Sequence, residues 1–210
     1  MNADGPAGAG GGRRLWLVRH GETEGQSSIR FHGSNDVRLS DEGRAQIRAL
    51  GPWLQGVEFT HIVHSPLQRA AESAAILASL CDQPLHRLAA DPRLREVSFG
   101  ACEGLTEHEI AARFPEFWAA HQRGTTEGFP DGERRADFAA RVAHWTAEFQ
   151  QAPWTGDALV VAHRGTVRQV LRALFGLPHG VKDPFGVELA SVTIARQAGA
   201  WQLDLLGALP

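Results

Sequence analysis

Leu15-Trp16-Leu17-Val18-Arg19-His20-Gly21-Glu22-Thr23 is the stretch that decides how this chain folds. An apolar run of strand type ends abruptly on arginine, histidine and glycine. Open α/β sheets keep their ligands outside the carboxyl ends of their strands. An arginine there can fork onto an oxyanion, a neutral imidazole can act as nucleophile or base, and glycine admits close approach to the backbone. The pattern recurs far along the chain, where Ala158-Leu159-Val160-Val161-Ala162 runs into His163-Arg164-Gly165-Thr166. Two such strand ends point to one site built from both halves of the sequence.

Between and beyond these strands, apolar periodicity alternates between strand and helix type. Ser40 is a natural N-cap for a helix running to about Leu54. Thr60 to His64 is a short strand, and Ser65-Pro66 starts a helix to Leu80. Shorter helices are expected at Thr106 to Arg113 and Pro115 to His121, and a longer one at Glu133 to Gln150. A helix from Gly165 to Phe175, closed by Gly176 and Pro178, follows the second strand end. Two last strands, Val187 to Ala195 and Trp201 to Leu205, flank a turn at Ala198-Gly199. The pattern predicts an α/β fold of three layers, α/β/α, with a largely parallel central sheet covered on both faces. Residues 1–13 read as a flexible Gly/Ala-rich tail, and residues 14–210 as a single catalytic domain.

Composition narrows the function. Apolar content of 43% and charged content of 21% are those of an ordinary globular protein, and a net charge of -3 gives no reason to expect nucleic acid or an anionic membrane as partner. No apolar stretch approaches the ~20 residues of a membrane span, and no signal-peptide core is seen, so the cytoplasm is the default expectation. The two cysteines, Cys81 and Cys102, make neither a disulfide framework nor a zinc knuckle. Lys182 is the only lysine, so anion binding must rest on arginine, histidine and backbone N–H groups. His61 and His64 lack the partners of a metal site, and no metal or other cofactor is expected. Trp118, Trp145 and Trp154 are free to pack in a core or on the face of a homodimer.

The chemistry that fits the strand ends is phosphoryl transfer. His20 is the candidate nucleophile. Attack on a phosphate dianion needs guanidinium groups to screen repulsion, and the same charges favour the neutral imidazole that attacks. Arg19 is adjacent, and Arg69 lies near the start of the helix after Ser65-Pro66. A leaving alkoxide needs a proton, which a protonated carboxyl can supply; Glu96 in Leu94-Arg95-Glu96-Val97-Ser98-Phe99-Gly100 is the candidate. His163 would give a second donor to the transferring group.

These residues, taken in order, resemble the histidine phosphatase superfamily, in its phosphoglycerate mutase-like branch. Arg19-His20-Gly21-Glu22-Thr23 is similar to the phosphohistidine motif, and Leu39 to Gln46 to the helix start that follows it. Ser65-Pro66-Leu67-Gln68-Arg69-Ala70 is similar to the second-arginine motif. Glu96 with Phe99-Gly100 and Glu103-Gly104 is similar to the acid motif, and Pro130-Asp131-Gly132-Glu133 and Val161 to Gly165 complete the set. The resemblance spans Leu15 to Leu206 and implies a phosphoglycerate mutase-like fold. It also implies a phosphohistidine at His20, a phosphate pocket of Arg19, Arg69 and His163, a proton donor at Glu96, and a metal-free catalytic pocket. Thr23, Gln26, Gly33, Arg164 and Gly165 would touch substrate or phosphate.

The chain departs from the pattern in places. Gly25-Gln26 stands where many relatives have Trp-Asn, His32-Gly33 where Gln-Gly is usual, and Arg164 where glycine is common. Arg30, Arg38 and Arg164 would make the outer pocket more positive. Cofactor-dependent mutases carry a longer, lysine- and arginine-rich segment after the acid motif, whereas Leu105 to Glu127 is short and has no lysine. The chain is more similar to the small phosphatases, broad-specificity and α-ribazole phosphatases among them. Hydrolysis of a small phosphorylated metabolite is therefore expected. Mutase-type phosphoryl transfer, and a phosphate-binding scaffold without turnover, are the alternatives.

Overall fold

The computed structural model describes residues 12–178 and 185–210. The expected tail over 1–11 and the stretch holding Lys182 lie outside the described residues. The first strand, β1, is Arg13–Arg19. It takes in Arg13, which the sequence assigned to the tail. The Arg13 guanidinium donates to the carbonyls of Gln150, Ala152 and Trp154 at 2.5–2.9 Å, which ties the strand's amino end to the opposite half of the chain.

After β1 come α1 (Asp41–Arg48), α2 (Gly51–Leu54), β2 (Phe59–His64), α3 (Gln68–Leu80) and β3 (Leu88–Ala90). Helices α4 (Glu107–Arg113), α5 (Pro115–Gln122) and α6 (Arg135–Gln151) then lead to β4 (Gly156–Ala162), α7 (Arg164–Phe175), β5 (Val192–Ala198) and β6 (Ala200–Ala208). The strands form one sheet in the order β3-β2-β4-β1-β5-β6. β3, β2, β4 and β1 are parallel, and β5 and β6 run antiparallel at one edge.

Alternation along the strands sorts the core into two halves, because successive side chains point to opposite faces. Leu15, Leu17, Ala158 and Val160 pack with residues of α6 and α7, such as Val142 and Leu171. Trp16, Val18, Leu159 and Val161 pack with Ile47 of α1 and Ala74 and Leu77 of α3. Each buried valine, leucine or isoleucine among them contributes about 1.5–3 kcal/mol by leaving water, so the central strands are fixed from both sides. β1 leads through α1 and α2 to β2 on one side of the sheet order, while β4 leads through α7 to β5 on the other. Adjacent strands whose connections leave in opposite directions open a crevice at their carboxyl ends.

Several local expectations needed correction. The helix expected over Ser40 to Leu54 is two helices. Ser40 does cap α1, accepting from the Gly43 N–H at 3.0 Å, but Pro52 lacks the N–H that would continue the ladder. Leu67, not Ser65, is the N-cap residue of α3; the Ser65 hydroxyl accepts from the Leu67 N–H at 3.3 Å and meets His163. β5 starts later than Val187, because Ala190 takes a left-handed φ of 52° that interrupts extended backbone. β3 escaped notice because three residues show no alternation. Trp145 and Trp154 are buried in the core and are not available to a homodimer face. Trp118 packs edge-on to Phe31 and stacks on His121.

Candidate active site

His20 and His163 are the residues that follow β1 and β4, whose register pairs Arg19 with Ala162. The His20 N–H donates to the Ala162 carbonyl at 3.1 Å, and the Ser65 N–H, just past β2, donates to Val161 at 3.0 Å. Three parallel strand ends thus meet at one level. The two imidazole rings stand 5.1 Å apart, edge to face. A cavity of about 620 Å³ opens here, its wall including Arg19, His20, Gly33, Arg69, Glu96, Arg164 and Gly165.

His20 is 3% exposed, and its Nδ1 lies 2.7 Å from the Gly21 carbonyl. A carbonyl only accepts, so Nδ1 carries the proton and Nε2 keeps its lone pair. Burial holds the ring's basicity well below the ordinary histidine value, and the charges of Arg69 and Arg19 add to this. The sequence argument credited the arginines alone; burial is the larger cause. The imidazole is therefore the neutral, nucleophilic form.

The guanidinium groups meet backbone carbonyls and an imidazole rather than carboxylates. Arg19 Nη1 donates to Val187 O at 3.0 Å, and its buried Nε has no partner among the described residues. Burial, followed by repulsion from Arg164, lowers its pKa to about 10. Arg69 donates to Gly33 O and Asn35 O, both at 2.7 Å, and through Nε to His163 Nδ1 at 3.3 Å. Since that N–H can only donate, His163 Nδ1 accepts, and its Nε2–H donates to Ser65 Oγ at 2.7 Å. His163 does not itself line the cavity; it is 1% exposed, and burial, Arg69 and His20 hold its basicity well below the ordinary value.

Glu96 reaches the cavity from the loop after Leu94. Its carboxylate accepts from the Val97 N–H at 3.0 Å and the Gly165 N–H at 2.9 Å. A Cβ at position 165 would stand 2.5 Å from Glu96 Oε1, so glycine is what lets the carboxylate lie against the start of α7. The Gly165 N–H thus serves Glu96 in this structure rather than a phosphate.

The remaining sequence candidates separate. Gly33 and Arg164 line the cavity, and Arg164 faces Glu188 only loosely, at 3.9 Å. Thr23 and Gln26 do not line it. Thr23 is buried and bonds Ser27, while Gln26 is exposed at a left-handed φ of 60°. That turn presents Ser27 and Ser28 to the cavity instead. Arg30 lines the wall but is paired with Glu109 and the Gly104 carbonyl, and Arg38 lies outside, on Gln68. Glu103 is a turn residue, accepting from Ser34 and Phe99. Among the described residues no three His, Cys, Asp or Glu side chains cluster as metal ligands, and no helix is long and apolar enough to cross a membrane.

Sequence reasoning missed His32 and Ser65. The His32 ring fills the space that a side chain at Gly25 would take, with a Cβ there only 2.4 Å from the ring, and Nε2 bonds the Gly25 carbonyl at 2.5 Å. The only signal was the paired departure at 25 and 32.

The profile of the histidine phosphatase superfamily, branch 1, matches residues 15–208. A glucosyl-3-phosphoglycerate phosphatase of Mycolicibacterium vanbaalenii is 34% identical, covering 93% of this chain and 95% of its own length. A 2,3-bisphosphoglycerate-dependent phosphoglycerate mutase 2 of Gloeobacter violaceus is 33% identical over 76% of this chain and 74% of its own length. Among solved structures, mycobacterial glucosyl-3-phosphoglycerate phosphatase with VO3 superposes with a TM-score of 0.82 at 32% identity, covering 93% of this chain and 99% of that one.

Proposed function

The chain belongs to the histidine phosphatase superfamily, branch 1, and from that premise we propose that it is a phosphomonoesterase that hydrolyses small phosphorylated metabolites through a phosphohistidine on His20. The observation that carries this reading is the bare Nε2 of a buried, neutral His20 on a cavity wall shared with Arg19 and Arg69. Nε2 attacks phosphorus, the ester P–O bond breaks, and the alkoxide takes a proton from the Glu96 carboxyl. Arg19 and Arg69 meet the charge on the transferring oxygens. His163 supports the pocket from behind by accepting from Arg69 Nε; its single N–H is taken by Ser65, so it does not give the transferring group the second donor expected from the sequence. Once the alcohol has left, water attacks the phosphorus and gives its proton to the Glu96 carboxylate. The P–N bond then breaks to release phosphate.

This chemistry uses the chain's own residues and calls on no metal or cofactor. The free thiols Cys81 and Cys102 suit a reducing compartment, and we assign the enzyme to the cytoplasm. A short Leu105 to Glu127 segment without lysine favours water over a second phosphorylated metabolite as acceptor. The test is brief exposure to labelled phosphomonoester followed by quench. Acid-labile label should appear on His20, and His20→Ala should abolish both label and phosphate release, by about 10⁴-fold or more. Label on another residue, or interconversion of phosphoglycerates outpacing phosphate release, would overturn the assignment.

A further inference from the structure

Pro130-Asp131-Gly132-Glu133 matches the family pattern, yet none of its residues lines the cavity. Its role emerges from what Glu133 holds. The Glu133 carboxylate takes Arg141 of α6 in a two-pronged pair, Nε to Oε1 at 2.9 Å and Nη2 to Oε2 at 2.7 Å. The Phe138 ring lies 4.9 Å under the same guanidinium. The other edge of the guanidinium faces the loop that carries Glu96. Arg141 Nη1 donates to the carbonyls of Arg93 at 2.8 Å and Arg95 at 3.0 Å, and Nη2 approaches that of Glu96 at 3.4 Å.

Residues 95–99 belong to no helix or strand, so their carbonyls need partners from elsewhere. Arg141 supplies them from α6. From α7, the Thr166 hydroxyl donates to the Arg95 carbonyl at 3.0 Å, and the Gly165 N–H holds the Glu96 carboxylate. Glu96 is therefore gripped by its backbone from one helix and by its side chain from the other. We propose that Arg141, oriented by Glu133, is a positioning residue that sets the Glu96 carboxyl at the distance proton transfer requires. This rests on the reading of Glu96 as the proton donor. Only a planar fork can bridge a carboxylate and several carbonyls at once, and an ammonium group cannot. Displacing a catalytic group by about 1 Å can cost about 10²-fold in rate.

The test compares an alkyl phosphate, whose leaving group needs a proton, with p-nitrophenyl phosphate, whose leaving group does not. Arg141→Lys should lower kcat/KM, which reports only the steps up to loss of the alcohol, by about tenfold or more on the alkyl ester while changing it by less than about threefold on the aryl ester. Glu133→Gln should shift the same ratio less, and it carries the test should the Arg141 variant fail to fold. Arg141→Lys added to Glu96→Gln should leave the alkyl-to-aryl ratio of Glu96→Gln unchanged. If Glu96→Gln is selective for the alkyl ester but the Arg141 and Glu133 variants slow both esters equally, or neither, the positioning role is overturned. If Glu96→Gln itself shows no selectivity, the proton-donor assignment falls, and the positioning role falls with it.

Discussion

The two ends of the same pair of strands use arginine in opposite ways. At the amino ends of β1 and β4, Arg14 forks onto Asp157, which also accepts from the Trp16 indole at 2.7 Å. The Asp157 hydrogen bond raises the Arg14 pKa above its ordinary value. At the carboxyl ends, Arg19, five residues beyond Arg14 on β1, and Arg69 of α3 are nearly buried with carbonyls and an imidazole as hydrogen-bond partners, and burial lowers the basicity of both. A buried cation hydrogen-bonded to no carboxylate, with Glu96 only nearby, is costly unless something later supplies more negative charge. The amino end is electrostatically complete and serves stability. The carboxyl end is incomplete and suits an incoming anion.

The largest expected effect is the exchange of phenotypes between these ends. Arg69→Gln should lower kcat/KM by about 10²–10³-fold, as loss of a preorganised donor to a transition state does, while thermal stability holds or rises. Arg14→Gln should do the reverse. It leaves Asp157 largely buried with only Trp16 as donor, costing about 2 kcal/mol of stability, while kcat/KM stays within about twofold. Steady-state kinetics and denaturant melts on both variants are the measurements. Equal activity losses would erase the distinction between the ends.

The carboxyl end was the more legible of the two in the sequence. An apolar run stopping on Arg19 and His20, repeated at His163 and Arg164, fixed the parallel strands and the site because burial pattern and chemistry change at the same residue. The amino end gave little signal. Arg13 looked like tail, because capping of the carbonyls of Gln150, Ala152 and Trp154 depends on chain segments far away. Arg141 was unreadable for the same reason, since recognition of backbone carbonyls leaves no mark on the sequence of the segment recognised. Gln26 failed in another way: its motif position pointed to phosphate, but a left-handed backbone turns it outward. Ser65 had the right neighbours for a helix cap, yet its hydroxyl accepts from His163 and from the N–H of Leu67, the residue before α3, rather than from an N–H inside the helix.

A second measurement sharpens the contrast through pH. His20 and His163 are held neutral in the fold, well below the ordinary value of 6.5. Below that pH the unfolded chain takes up protons that the folded chain refuses. Stability therefore falls as pH drops, by up to about 1.4 kcal/mol per pH unit for each ring. His163→Gln should reduce the slope of unfolding free energy between pH 6.5 and 5 by about that amount, whatever it does to the absolute stability. An unchanged slope would mean that the ring is protonated in the fold, and the argument for a neutral site would fail.

The smallest effect probes how the carboxyl end is held in readiness. Arg69 Nε donates to His163 Nδ1, so His163 must carry its proton on Nε2, and Ser65 Oγ receives it. Ser65→Ala removes that acceptor in a fully buried place. The His163 N–H loses its partner at a cost of about 1 kcal/mol, and the ring loses the contact that fixes its orientation against Arg69. A rate loss of about three- to tenfold on phosphomonoester, with a melting temperature lowered by a few degrees, is the expected result. Ser65→Thr keeps the hydroxyl and should restore most of the rate. If Ser65→Ala matches His163→Ala in severity, the serine has a direct part in the reaction. If Ser65→Ala is silent in both rate and melting, the chain Ser65–His163–Arg69 does not orient the site. The contrast between the two ends would then rest on Arg19 and Arg69 alone.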